Sequence, residues 1–351
     1  MLEEVTTLRY FQIAGTRTVK TGIAIFITAW ICVLLNWPPV FAVITAIVTI
    51  EPTVADSIRK GIVRFPASAI GSAYAVIFIS LFGDSPLTYT LAAVFTIATC
   101  FKFRLHAGLL VATLTAVAMV EVIHNNYLIA FFIRLGTTTT GLLVSTLVNL
   151  FVLPPKYTEE IVKDIQQVAK QTGIVIDQVL IEILENEQQE TNRADKLVDQ
   201  LDKKLHHVEL LIKFQKDETK YHPLAGNKKD TFDHASKQVI QLRLIQYHLD
   251  NLIKTPLKSI SWSNEERSIL LQAIRKLSLS MGNKVDYDPI LHQKELDKLM
   301  QLYWVNNVET KNKKHPTHFP PELIILYEVV SIYNLVAAFY DRKNKSESVP
   351  G

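Results

Sequence analysis

The first 153 residues carry six apolar runs separated only by short polar turns, and no other feature constrains the fold as tightly. The runs are Thr21 to Leu35, Pro38 to Ile50, Phe65 to Phe82, Leu87 to Phe101, Ala107 to Ile123 and Tyr127 to Leu153. Breaks fall at Asn36-Trp37-Pro38-Pro39, Glu51-Pro52, Gly83-Asp84-Ser85-Pro86, Lys102 to His106, and His124-Asn125-Asn126, each a turn, a proline or a polar cluster. A bilayer core about 30 Å thick takes roughly 20 helical residues, fewer where the membrane thins or a segment is re-entrant. A water-soluble helix of this length keeps a polar face, which these runs lack. Six spans are therefore predicted, in a membrane domain over residues 1–153. The first run follows a charged stretch and leads into further spans without a small-residue cleavage site, so no cleaved leader is expected.

Charge divides the chain at Pro154. Of 37 Lys and Arg, nine precede it, leaving 28; of 34 Asp and Glu, six precede it, leaving 28. Neither part holds the positive excess that neutralising phosphates requires, so a nucleic-acid binder is excluded. The two cysteines, Cys32 and Cys100, lie inside apolar runs, which excludes disulfide frameworks and thiolate metal sites. Orientation follows from the short loops. Arg9, Arg17 and Lys20 precede the first run, Arg59, Lys60 and Arg64 follow the second, Lys102 and Arg104 the fourth, and Lys156 the sixth; the other three connections hold no Lys or Arg. Both termini are predicted to be cytoplasmic, in a multi-pass plasma-membrane protein, with Trp37, Tyr89 and Tyr127 at the outer interface.

Laid on itself at a shift of 70 residues, the sequence pairs Thr45-Ala46 with Thr115-Ala116, Glu51 with Glu121, Arg64 with Arg134, Ser68 with Thr138, and Gly71 with Gly141. Three spans per unit give the copies opposite topology, so an inverted 3+3 repeat is the expected build, with the substrate path at the interface of the copies. The register also implies a long third helix beginning near Ser57, with Arg59, Lys60 and Arg64 in its first turns, and a short second span. Glu51, Glu121, Arg64 and Arg134 are the candidate substrate-path residues, because ionisable groups at membrane depth persist mainly when they pair or face a water-filled path. Arg134 lies about 10 Å along its helix from Tyr127. Snorkelling to the headgroups is the competing account of Arg134.

Beyond Pro154-Pro155, helical periodicity with dense charge replaces continuous apolarity. Helices are predicted over Thr158 to Glu187, Asn192 to Lys216, Thr231 to Lys254, Ser263 to Met281, Pro289 to Val305 and Pro321 to Arg342, forming a cytoplasmic bundle over residues 154–351. Loops are expected at Tyr221 to Lys229, Thr255 to Ser261 and Val308 to Pro320. Ser263-Asn264-Glu265-Glu266 reads as a capping box, and Thr158 as an N-cap. Leu323 to Tyr340 is nearly span-length, but Glu328 near its centre favours a buried bundle helix over a seventh span. His206-His207-Val208-Glu209 offers metal-ligand types but reads as an exposed helix face. No Gly-rich phosphate loop, nucleophile elbow or paired-carboxylate signature is present, so no enzyme, cofactor or metal is expected.

Six spans followed by a helical domain, with Trp37-Pro38-Pro39, Glu51-Pro52-Thr53, Arg64 to Gly71, and Arg134 to Gly141 running into Asn149 and Pro154-Pro155, resemble the aromatic acid exporter family of the wider fusaric-acid-resistance-like superfamily. The likeness is to the Gram-positive members with a dedicated C-terminal domain. Pro66-Ala67-Ser68 stands where that pattern commonly has a Gly-Thr pair. The resemblance implies an integral membrane exporter of aromatic or other organic carboxylates. Aromatic side chains within the runs (Phe26, Trp30, Phe41, Phe78, Phe95, Phe131, Phe132) offer faces on which an aromatic carboxylate could stack. With no ATP-binding motif, an ion gradient or the membrane potential would drive it, with Glu51 or Glu121 as protonation candidates. A homodimer is the expected assembly, alongside the lipid bilayer and an organic anion as partners. A non-transporting scaffold or sensor acting through the C-terminal half is the alternative.

Overall fold

The computed structural model describes residues 2–122, 126–185, 191–255, 260, 262–282, 287–311 and 320–341, and all regular structure among them is helical. The expected break at His124 and Asn125 lies outside the described residues, as do 256–259 and 261 and 312–319 within the expected loops. The chain forms two compact units, Met1–Pro155 with Lys216–Pro223, and Lys156–Gln215 with Leu224–Gly351.

The first unit comprises α1 (Leu2–Leu34), α2 (Pro39–Thr49), α3 (Val54–Phe82), α4 (Pro86–Lys102), a 3-10 turn (His106–Gly108), α5 (Leu109–Val122) and α6 (Tyr127–Phe151). Helix α3 starts well ahead of its apolar run, so Arg59, Lys60 and Arg64 do stand in its first turns. Thr53 caps it, its hydroxyl accepting from the Asp56 N–H at 3.1 Å. Ser85 caps α4 in the same way, accepting from the Thr88 N–H, and Pro86 opens the helix. Helix α2 has 11 residues, about 16 Å at 1.5 Å per residue, well short of a bilayer core. Gly15–Leu34, Val54–Phe82 and Tyr127–Phe151 are long and apolar enough to cross, while Pro39–Thr49 and His106–Glu121 are shorter apolar helices.

Burial in this unit is the reverse of that in a water-soluble bundle. Phe26, Trp30, Leu81, Leu128, Phe132 and Phe151 are exposed, whereas Ala24, Thr28, Ala46, Ala67, Ser68 and Ser145 are buried. Lipid gives apolar side chains no reason to turn inward, so helices close on small residues instead. The closest approaches to the backbone of another helix lie at two glycines. A Cβ on Gly71 would meet the Ala112 carbonyl oxygen of α5 at 2.4 Å, and one on Gly141 would meet the Ala42 carbonyl oxygen of α2 at 2.5 Å. Between them α3 meets α6, where the Ser68 and Thr138 hydroxyls are 3.2 Å apart.

The second unit comprises α7 (Tyr157–Glu185), α8 (Thr191–Glu218, whose last residues belong to the first unit), α9 (Asn227–Lys254), α10 (Asn264–Gly282), α11 (Pro289–Lys311) and α12 (Pro321–Tyr340). Its core is ordinary, with Ile176, Leu180, Leu205, Leu242, Ile245 and Leu249 fully buried. The Ser263 box forms reciprocally: Ser263 N–H donates to Glu266 Oε2 (2.8 Å) and Glu266 N–H to Ser263 Oγ (3.2 Å). Thr158 does not cap α7, which starts at Tyr157; its N–H and hydroxyl both donate to Gln215 Oε1 at 3.1 Å. Helix α12 is long and apolar enough to be a span, yet it packs as a core helix of this unit. Its polar groups find partners there: Glu328 with His248, the Tyr333 hydroxyl with the Ala273 carbonyl (2.7 Å), and the Tyr333 carbonyl with His292 Nε2 (2.9 Å).

Candidate functional site

The four ionisable candidates divide into an assembled pair, a buried arginine and an outlier. Arg64 and Glu51 meet across the α2–α3 connection, with Arg64 Nη2 2.7 Å from Glu51 Oε1 and both side chains at most 10% exposed. Lys60 Nζ holds the other carboxylate oxygen at 2.8 Å. The backbone of Glu51 is held too. Ser57 Oγ accepts from its N–H (3.3 Å), and Asn149 Nδ2 donates to its carbonyl (3.1 Å) and to Ser57 Oγ (2.9 Å). Lys20 Nζ donates to Asn149 Oδ1 at 2.9 Å. Burial works to raise the Glu51 pKa, but the hydrogen bonds and charges of Lys60 and Arg64 outweigh it and hold the carboxyl below its ordinary value. Arg64 Nε donates to the Ala107 carbonyl (3.2 Å), which ties α3 to the segment before α5.

Segment Lys216–Pro223 completes this end of the first unit. Glu218, fully buried, accepts from the Val54 N–H at the start of α3 (3.1 Å) and lies 2.7 Å from His222 Nδ1. A carboxylate at a helix N-terminus is favoured by the unpaired amides there.

Arg134 is built differently. It is 3% exposed, its Nη2 donates to Thr115 Oγ1, and its Cζ lies 4.4 Å from the centroid of the Phe41 ring. Among the described residues Nε and Nη1 have no hydrogen-bond partner. No carboxylate pairs with it among those residues, unlike its register-mate Arg64. Leaving buried donors of a charged group unpartnered costs about 1–3 kcal/mol or more. Snorkelling does not describe this side chain, because the guanidinium turns to α5 and α2.

Glu121 does not join the site. It is exposed on the last turn of α5, six residues and about 9 Å along the helix from Thr115. Of the aromatic residues named from sequence, Phe41 alone stacks on an arginine, while Phe26, Trp30, Phe95 and Phe132 are exposed. Phe78 stacks within an α3–α4 cluster with Tyr74 and Phe95. In the second unit, Glu160, Asp164 and His207 lie close enough to share a cation, but His206 is turned to Glu209 and both histidines are largely exposed.

Sequence reasoning missed Lys20, Ser57, Thr115 and Glu218. Thr115 carried a signal, because it stands in the repeat opposite Thr45. Lys20 and Asn149 are 129 residues apart, and nothing local in either neighbourhood announces their bond.

The model of aromatic acid exporter family member 1 matches residues 12–152. A UPF0421 protein of Oceanobacillus iheyensis is 46% identical over 341 residues, covering 94% of this chain and 96% of that protein. One from Bacillus thuringiensis subsp. konkukian is 40% identical over 97% of this chain and 98% of its own length. Another, from Staphylococcus haemolyticus, is 35% identical over 95% and 99%. With relatives in Gram-positive bacteria aligned over nearly the full length, the chain belongs to the UPF0421 proteins, and its helices α1 to α6 lie in the segment that matches the aromatic acid exporter family.

Proposed function

We propose that the protein exports aromatic or other organic carboxylates across the plasma membrane, with six crossings and both termini in the cytoplasm. Arg134 carries the reading. A permanently charged, buried guanidinium with two nitrogens unpartnered and no paired carboxylate among the described residues offers an organic anion what its burial otherwise leaves unmet. The Phe41 ring beside it is an apolar face suited to an aromatic acid. The match of residues 12–152 to the aromatic acid exporter family supports a membrane exporter. Glu51, held ionised by Lys60 and Arg64, serves as a counter-ion at the other end of the path rather than as a proton carrier.

The path lies between two inverted copies of a three-helix unit. Supporting this, the contacts interchange under the 70-residue register: Gly71 abuts Ala112 while Gly141 abuts Ala42. Ser68 and Thr138, equivalent in that register, meet each other, as residues beside a two-fold axis do. Helix α2 crosses a thinned or locally re-entrant region, and α12 stays with the helices of the second, cytoplasmic unit. Two copies of the chain assemble, since six helices enclose a path poorly alone.

Efflux of labelled benzoate from proteoliposomes tests the reading. Arg134→Gln is expected to lose most of the flux at equal membrane abundance. Arg134→Lys should keep part of it, since lysine retains charge but not the planar array of donors. Efflux by Arg134→Gln at the unmutated rate would overturn the proposal.

A further inference from the structure

The two copies of the repeat differ where their glutamates stand. Glu51 and Glu121 are equivalent, yet α2 stops at Thr49 and Ile50 is extended (φ −70°, ψ 99°), whereas α5 stays helical through Glu121 to Val122. The consequence for the arginines is direct. With its helix ended early, Glu51 reaches Arg64 at 2.7 Å. With its helix continued, Glu121 is exposed, and Arg134 falls back on Thr115, an uncharged partner six residues short of the glutamate. Two equivalent arginines thus sit in opposite states, one neutralised by a carboxylate of the chain and one left for an anion.

We infer that Glu121 is the alternate counter-ion of Arg134. In a second conformation the last turn of α5 opens as the end of α2 already has, Glu121 takes Arg134, and Glu51 releases Arg64. This rests on the reading of the arginines as the anion path, and it adds the groups that close each end. The structure holds the Arg64 end closed and the Arg134 end ready. A bound carboxylate competes with Glu121 for the same guanidinium. Without such a competitor, an arginine held permanently available would release its anion slowly; exchange with a tethered carboxylate displaces it.

The test uses full-length protein in lipid nanodiscs and a water-soluble carbodiimide. The reagent activates a carboxylate, a touching amine attacks the acyl carbon, and the urea leaves, so that an amide joins the two side chains with net loss of one water. Lys60 and Glu51, 2.8 Å apart, provide the positive control within the same chain. In Arg134→Lys, peptide mass spectrometry should find a 121–134 crosslink beside the 51–60 crosslink. Benzoate should lower the yield of the first only, and adding Glu121→Gln should abolish it. A 51–60 crosslink without any 121–134 crosslink would sink the inference. Should Arg134→Lys fail to fold, phenylglyoxal on the native arginine replaces it: Glu121→Gln should raise the rate of Arg134 modification several-fold, and an unchanged rate would also sink the inference. Transport separates the two levels. Full export by Arg134→Gln removes the anion path itself, whereas lost export with no 121–134 crosslink removes only the counter-ion exchange.

Discussion

Arg64 and Arg134 share a register position, and what differs is the group each can reach. Replacing Glu51 by Gln leaves Arg64 and Lys60 buried or half-buried beside an uncharged amide. Removing one partner of a buried pair typically costs about 3–5 kcal/mol, so Glu51→Gln should lower the melting temperature of the detergent-purified protein by several degrees. Adding Arg64→Gln should recover part of the loss; additive losses would show that the pair is not coupled. The close glycines allow a sharper test. Gly71→Ala and Gly141→Ala each place a methyl against backbone that no side-chain rotation can clear, and a cost of about 1–3 kcal/mol is expected for each. Gly22→Ala, with nothing within 4 Å, should leave thermal stability unchanged or raised. Equal effects at the three positions would mean that the helix crossings do not depend on these contacts.

Among the helices, α11 against α12 carries the clearest dependence on pH. His292 of α11 is buried, and desolvation lowers its pKa from 6.5 despite the hydrogen bond to the Tyr333 carbonyl. A histidine depressed in the fold binds fewer protons folded than unfolded, so its contribution is complete above about 6.5 and falls as pH drops toward its folded value. Neighbouring Glu295 is pushed up by burial but drawn down further by Lys276 and Lys298, so its pKa is lowered from 4.5. Its contribution is present above that ordinary value and is lost as pH falls through the lower, folded one. The second unit should therefore lose stability in two stages on acidification, and His292→Gln should flatten the upper stage alone in melts followed from pH 7.5 to about 2.5. Helices were the most legible level. The Ser263 box, the turn before Pro86 and the long start of α3 all follow from local residue types or from the repeat. Thr158 was misread because its side chain is taken by Gln215, which its own neighbourhood cannot announce.

For the whole molecule, the distribution of Lys and Arg predicts which ends face the cytoplasm. With Cys32 and Cys100 replaced, single cysteines at Asn36 and Asp84 should react with an impermeant thiol reagent added outside intact cells. Cysteines at Lys60 and Lys156 should react only after permeabilisation. Outside labelling at Lys156 would refute the orientation. The same experiment on Tyr327, an exposed position of α12, separates a bundle helix from a span, since a bundle helix stays shielded from outside reagent.

The sequence by itself determined the all-helical build, the apolar and charged halves, and a 70-residue register that sets Arg64 opposite Arg134 and Glu51 opposite Glu121. These depend on periodicity, hydropathy and spacing, which are properties of neighbouring residues. Only the tertiary structure decided that Glu51 pairs with Arg64 while Glu121 does not pair with Arg134. It also decided that Lys20 reaches Asn149. Partner choice among distant side chains depends on where each helix ends, and one turn more of α5 than of α2 carries an equivalent carboxylate out of reach.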